Sequence, residues 1–470
     1  MINNKICFIY SFLFLTLLSC KKNVEVGPPI TQLATSSVFT DNNTATAAQL
    51  VLYSQMRTDP YNLARITGLS SDELFTYATG QVSKDLYANT LNAATDGGSI
   101  STWPVTYNYI YEENAVLEGI GKSDLLSPAV KQQLTGEAVF LRTFWYFYLT
   151  NLYGDVPLIT TTDYKINTAL PRAPQQQVYQ RIIADLKNAE NLLNSDYVDA
   201  SDTVITSERV RPTKWAATAL LARTYLYSKN YDSAESRATV VINNPIFQIA
   251  SLDDVFFMNS SEAIWQLMPL STAFAATEGL YFILNTSPAT GNNNSSTIST
   301  QLMGTFEAGD NRKTHWIGSY TKNGSTYFFP NKYKDGSASR TLREYSMILR
   351  LAEQYLIRAE ARARQGNISG TGGALADLNV IRHRAGLLDY SGSMDQASVI
   401  AAIQHERQVE LFAEAHRWFD LKRTGTVDAV MSLVTPMKKG NTWSSYQQFY
   451  PIPITDVQNS LTLTQTPGYN

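Results

Sequence analysis

Carboxylates, histidines and loop aromatics are the side chains of this sequence whose types and spacing could do chemistry. Glu406, Glu410, Glu414 and Arg417 recur at three or four residues, which places them on one face of a predicted helix. Paired carboxylates can serve as general acid and base. The same set can instead form an ion-pair lattice with Arg350, Arg382 or Arg384, and the lattice is the arrangement expected here. Histidine offers less. His405 and His416 stand eleven residues apart on the same predicted helix, about 16 Å along its axis, and no His-Glu-x-x-His spacing occurs. No metal site is expected, and Asp253-Asp254 is too short for a calcium loop. Gly370-Thr371-Gly372-Gly373 precedes a predicted helix and could cradle an anion. It lacks the Lys-Ser/Thr of a phosphate loop and follows no strand, so it reads as a turn. No Gly-x-Ser-x-Gly motif occurs. No catalytic residue and no cofactor are assigned.

The aromatic residues carry more. Sugar rings present C–H faces that stack on Trp and Tyr, while their hydroxyls need Asn, Asp, Gln or Arg. Two polar loop regions mix these types. One spans 72–103, with Tyr77, Tyr87, Asn89 and Trp103 as candidate ligand contacts beside Asp72 and Asp85. The other spans 311–333, with Arg312, Trp316, Tyr320 and Tyr327. Trp103 also fits a helix motif with Tyr107, Ile110 and Asn114, which would make it a core residue. Trp316 is the strongest single candidate, because its Gly/Ser/Asn-rich setting offers few obvious core partners.

The chain that must hold these groups has 470 residues, enough for a sizeable core without disulfide or metal staples. Its 38 Lys+Arg against 41 Asp+Glu give a net charge of −3, which argues against a dedicated nucleic-acid binder. Lys5 and the apolar run Ile6 to Leu18 read as a signal peptide, too short for a comfortable membrane span. The run ends in Leu17-Leu18-Ser19-Cys20, similar to a bacterial lipoprotein cleavage box, with Cys20 as the lipid acceptor. The only other cysteine, Cys7, leaves with the signal, so the mature body would carry no free thiol.

Helical periodicity dominates the rest. Val178, Ile182, Leu186, Ala189 and Leu193 form one apolar stripe, with Pro174 at the helix start. Residues 213–243 read as a helical hairpin in which Leu221, Ala222, Tyr225 and Ala234 have tetratricopeptide spacings. Similar hairpins are predicted from 133–153 with 176–194, from 346–366 with 373–385, and within 398–424. Together they predict a mainly α fold, a solenoid of tetratricopeptide-like hairpins with few short strands. Residues 244–340 are rich in Asn, Ser, Thr and Gly, with β-prone runs at Ala263–Leu267 and Tyr327–Phe329. They read as a loop-rich insertion suited to recognition. The predicted divisions are 1–19 signal peptide, 20–40 tether, 41–243 and 244–470, the last two forming one compact unit.

Several segments, in order along the chain, together resemble the motifs of one family. They are Gly136-Glu137-Ala138-Val139-Phe140-Leu141-Arg142 with Tyr153-Gly154-Asp155-Val156-Pro157-Leu158, and Arg211-Pro212-Thr213-Lys214 with Leu220-Leu221-Ala222-Arg223. Further on come Arg350-Leu351-Ala352-Glu353, the Glu406 to Arg423 segment, and the closing Pro451-Ile452-Pro453 and Pro467-Gly468-Tyr469. The family they resemble is the SusD/RagB nutrient-binding outer-membrane lipoproteins; Val210 stands where that family usually has Gly, and Thr466 where it has Asn. The resemblance implies a helical scaffold with an irregular ligand-facing portion. It implies capture of a nutrient, most commonly an oligosaccharide, at the cell exterior, with delivery to a SusC-like TonB-dependent transporter in the outer membrane. It names no specific ligand, because binding residues in this family vary between members. Two other readings stay open: an exported glycan hydrolase, and a transporter lid with little ligand affinity of its own.

Overall fold

The computed structural model describes residues 38–98, 100–269, 275–337, 343–439 and 441–469. The predicted signal peptide, Cys20 and most of the predicted tether lie outside these residues. None of the described helices is long and apolar enough to cross a membrane.

The N-terminal part runs through helices α1 (Asn42–Gln55) and α2 (Asp59–Ser70), strand β1 (Leu74–Thr76), and helices α3 (Gln81–Ala88) and α4 (Thr102–Lys122). The central helix α5 (Pro128–Tyr153) follows. Proline at its first position costs no hydrogen bond, and the Ser127 hydroxyl accepts from the Val130 N–H. Gly154 ends it with a φ of 75°. From Gly136 onward every residue of α5 is buried, so it is covered on all sides.

Against α5 packs α6 (Gln175–Leu192), whose buried residues are Val178, Ile182, Leu186 and Ala189, the predicted stripe. Next come α7 (Lys214–Tyr227) and α8 (Tyr231–Ile242), the hairpin predicted at 213–243. The Asn230 side chain caps α8 by accepting from the Ser233 N–H. Ala222 and Ala234 are fully buried, as the close approach of two helices requires. The stack continues with α9 (Leu351–Arg364) and α10 (Ala374–Arg384), and α8 packs directly on α9. Between α9 and α10 the glycine run is a closed turn: Gly370 has φ 85°, and the Asn367 amide donates to the Gly372 carbonyl at 2.9 Å.

The last predicted pair is broken. Helix α11 (Gln396–Glu410) packs on α9 and α10, but it ends at Glu410. Ala413 and Ala415 then take positive φ of 56° and 60°. Helix α12 (Arg417–Arg423) leaves at a new angle to meet α2 and α13 (Val427–Lys439). Glu414 therefore is not on the helix of Glu406 and Glu410, and His405 and His416 do not share one.

Between α8 and α9 lie short antiparallel strands. β2 (Ala263–Leu267) pairs with β6 (Ser346–Arg350), and β3 (Ser296–Ile298) pairs with β1. β4 (Ile317–Lys322) and β5 (Ser325–Pro330) make a hairpin. The β2–β6 pair sits in the main core. There Trp265 meets Phe140 and Phe144 edge-on at 5.1 and 5.3 Å, and its indole N–H donates to the Val210 carbonyl.

The predicted ion-pair lattice is present and largely buried. Arg350 bonds Glu262 at 2.8 Å, Glu410 at 2.6 Å and Glu414 at 2.7 Å. Arg312 bonds Asp310 at 2.8 Å, Glu406 at 2.6 Å and Glu410 at 3.1 Å. Arg384 adds bonds to Glu262 and Glu410, Arg382 to Glu406, and Lys332 to Glu414. Burial alone would raise the pKa of Glu410, but Arg384, Arg350 and Arg312 hold it well below the ordinary range. Glu414 is likewise lowered against its burial by Arg350 and Lys332.

Replacing Arg350 with Met should cost about 3–5 kcal/mol, because three buried carboxylates lose their shared cation. Carboxylates held low give stability that is complete above their unfolded pKa, near 4.5, and is lost as pH falls below it. Denaturant unfolding of Arg350→Met should therefore show both the loss at pH 7 and a shallower decline below pH 4.5. A variant as stable as the parent at pH 7 would contradict the lattice.

Candidate functional site

The two candidate loop regions meet through their tyrosines. β1 runs into Tyr77, whose N–H donates to the Ser295 carbonyl at 2.7 Å just before β3. β5, from the separate β4–β5 hairpin, packs against β3. The β4–β5 turn is Asn323-Gly324, with φ of 51° and 78°. That dipeptide suits a two-residue hairpin turn, in which both central residues need positive φ. The hairpin register sets Tyr320 opposite Tyr327. The Tyr77 and Tyr327 rings then stand edge to face with centroids 5.5 Å apart, although 250 residues separate them.

A run of rings leads inward from this contact. Tyr77 meets Phe75 at 5.0 Å, and Phe75 meets Tyr87 at 5.1 Å. Exposure falls along the run: Tyr77 is 39% exposed, Phe75 is half-buried and Tyr87 is buried. Tyr320 and Tyr327 are half-buried and rest on the small cluster of Ile283, Leu284 and Phe329. Phe328, on the other face of the hairpin, is 42% exposed. The polar segment 285–294 borders the ridge, and the Thr79 N–H ties it down by donating to the Thr290 carbonyl at 2.8 Å. The result is an exposed aromatic edge on a rigid base beside amide and hydroxyl side chains. It offers apolar faces and hydrogen bonds to one ligand.

The other candidates are built into the scaffold, and each corrects the expectation of a loop contact. Trp316 is fully buried between Phe256 and Phe412, and its indole N–H donates to the Leu252 carbonyl at 2.8 Å. The Lys332 ammonium and the Arg384 guanidinium lie over its ring at 4.7 and 5.2 Å. Its core partners come from distant segments, so its sequence neighbours gave no sign of them. Arg312 belongs to the buried lattice. Trp103 is buried against Tyr107 and Tyr153, with its N–H donated to Asp456 at 3.0 Å, so its helix-motif reading holds. Asn89 ends α3 in a left-handed conformation, φ 57°. Its amide donates to the Ser70 carbonyl and its side-chain oxygen accepts from the Thr435 hydroxyl. Tyr87 is packed beneath Phe75, with the Lys438 ammonium over its ring at 5.2 Å.

Among the described residues, one group could in principle hold a metal: Glu307, His405 and Glu406. Arg382 occupies the same carboxylates, bonding Glu307 at 2.6 Å and Glu406 at 3.5 Å, and His405 bonds the Thr305 carbonyl. The cluster is thus an ion-pair arrangement.

Sequence reasoning missed Phe328 and the hairpin turn that presents it. The Asn-Gly pair at 323–324 was a readable signal. Nothing in the sequence signalled the pairing of Tyr77 with Tyr327.

Burial makes the two kinds of aromatic separable by stability. Trp316→Ala should cost about 3–5 kcal/mol through cavity formation. Tyr77→Ala and Tyr327→Ala, at a partly exposed edge, should each cost about 1 kcal/mol. Thermal unfolding of the three variants checks this ordering, and equal losses would contradict the placement of Trp316.

Comparisons with known proteins agree with this architecture. The model of the SusD family matches residues 225–469, more than half of the chain. A second model, described as starch-binding associating with outer membrane, matches residues 25–226. SusD-like protein P25 of Formosa agariphila is 24% identical over 98% of both chains. Starch-binding protein SusD of Bacteroides thetaiotaomicron is 34% identical over 125 residues, 26% of this chain and 21% of that one. Among solved structures, surface glycan-binding protein A from Bacteroides uniformis superposes with a TM-score of 0.76 at 20% identity, covering 90% of this chain and 98% of that one. The chain belongs to the SusD family.

Proposed function

We propose that this protein captures a glycan at the outer surface of the cell and presents it to a SusC-like TonB-dependent transporter in the outer membrane. The observation that carries the reading is the exposed Tyr77–Tyr327 edge, assembled from two distant segments and bordered by the polar segment 285–294. Such an edge can lie against the C–H face of a sugar ring while neighbouring amides and hydroxyls bond its rim. Family relatives described as starch-binding and glycan-binding support the ligand class. Binding without turnover is favoured over glycoside hydrolysis by the state of Glu406, Glu410 and Glu414. Glu406 and Glu410 are fully buried, Glu414 is nearly so, and all three are bonded to cations, whereas an acid–base pair has to reach solvent and substrate.

The test is calorimetry against a panel of oligosaccharides, with product analysis in parallel. The parent protein should retain at least one glycan unchanged. Tyr77→Ala and Tyr327→Ala should each weaken that binding by about tenfold or more, since aromatic anchors dominate many binding energies. Turnover of a panel member, or full affinity in both variants, would overturn the reading.

We further propose that lipid on Cys20 holds the protein to the membrane, with the segment to about residue 40 as tether. The run of Leu17-Leu18-Ser19 before Cys20 supports this. Stable anchoring needs two acyl chains or an equivalent second signal. Cys20→Ala should leave the protein without lipid by mass spectrometry and absent from the membrane fraction. A variant that remains lipidated and membrane-bound would refute it.

A further inference from the structure

Arg65 is a buried guanidinium that the described scaffold leaves without an acid. It sits on α2, 7% exposed, and forms no ion pair among the described residues. One terminal nitrogen donates to the Ser83 hydroxyl at 3.1 Å, and its buried Nε has no hydrogen-bond partner among the described residues. The acidic groups that act on it are the phenols of Tyr61 and Tyr450, and burial pushes both well above their ordinary pKa, so they stay neutral. Burial without compensation depresses the pKa of Arg65 itself. Elsewhere in this chain buried arginines such as Arg223, Arg312 and Arg350 bond carboxylates directly.

The guanidinium lines a cavity of about 300 Å³. Two helices begin on its wall. α3 starts after Gly80 and α4 after Ser101; neither cap makes a side-chain hydrogen bond, and neither first turn holds an acidic residue. Gly80, Gln81 and Ser83 from one start, and Ser101 and Thr102 from the other, line the cavity with Arg65. Helix starts carry unsatisfied N–H groups and partial positive charge, so both favour an anion. The rim at Gly80, Gln81 and Ser101 is exposed. Gly80 follows Tyr77 by three residues, at most about 11 Å of chain. Asn292, from the polar segment beside the aromatic edge, reaches the same wall and accepts from the Ser83 hydroxyl at 2.9 Å.

We infer that this cavity receives an oxyanion carried by the glycan, a carboxylate or a sulfate ester, so that the ligand is an acidic rather than a neutral oligosaccharide. The inference rests on the glycan-capture reading and adds to it the charge of the ligand. The oxyanion would bond the terminal N–H groups of Arg65, as charge-assisted hydrogen bonds that suit both anions, while the sugar rings run toward Tyr77 and Tyr327.

Calorimetry with four probes tests this: trigalacturonate, a sulfated carrageenan tetrasaccharide, inorganic sulfate and neutral maltohexaose. At least one acidic oligosaccharide should bind the parent at least about tenfold more tightly than the neutral one, and Arg65→Gln should remove that advantage. Trigalacturonate and the carrageenan fragment tell carboxylate from sulfate. Ser83→Asp is the independent arm. It places a carboxylate beside Arg65 at a helix start, so it should raise the melting temperature and abolish binding of acidic probes. It decides the matter even where Arg65→Gln fails to fold. Acidic probes bound equally by the parent and Ser83→Asp overturn the inference. So does binding of maltohexaose alone, an outcome that leaves glycan capture standing. Sulfate bound in an Arg65-dependent way with no oligosaccharide retained supports the anion site and overturns glycan capture instead.

Discussion

Burying charge is the constraint on which this structure depends. Arg350 leaves β6 at the point where α9 begins, and it holds Glu262 from the start of β2 together with Glu410 and Glu414 from the end of α11 and its following turn. Arg312 ties the same Glu410 to the segment leading into β4. An ion taken out of water costs several kcal/mol unless its partners are in place, so these segments assemble together or not at all. The lattice specifies where the insertion sits against the helical stack. It also explains the break after α11. Ala413 and Ala415 turn the chain so that Glu414 faces Arg350 and Lys332, a position that a continuing helix would not provide.

The motif residues that make the family legible are largely members of such pairs. Glu137 bonds Arg211 at 2.7 Å and accepts from the Tyr53 hydroxyl at 2.6 Å. Arg223 bonds Glu353 across α7 and α9, and Arg423 and Arg407 share Asp420. The sequence shows these residues at fixed spacings, but only the fold shows that they are the polar joints between successive helices.

The helical stripes of α6 and α8 were readable because a helix that packs with one face must repeat its apolar residues every three or four positions. Trp316 was misread for the complementary reason. Its partners Phe256, Phe412 and Lys332 lie 60, 96 and 16 residues away, and no periodicity links them. The candidate site had the same difficulty in reverse. Tyr77 and Tyr327 could be chosen as aromatics in polar settings, but their contact depends on β1, β3 and β5 lying side by side, and each of these strands is too short to announce its partner. Arg65 escaped notice because a lone arginine in an apolar helix stripe carries no sign that its acid is missing.

The Asn323-Gly324 turn places the tip of the β4–β5 hairpin outside every packing layer. Its strands bond mainly to each other, and Gly324 has open space where a side chain would begin. Lengthening such a loop costs only about 0.6 kcal/mol for each doubling, and none of the lattice residues would shift. Reach over a bound chain can thus change by insertion at one tip, while the register of Tyr320 with Tyr327 stays fixed by the strands below. Descendants of this scaffold can explore ligands of different length without renegotiating how the molecule folds.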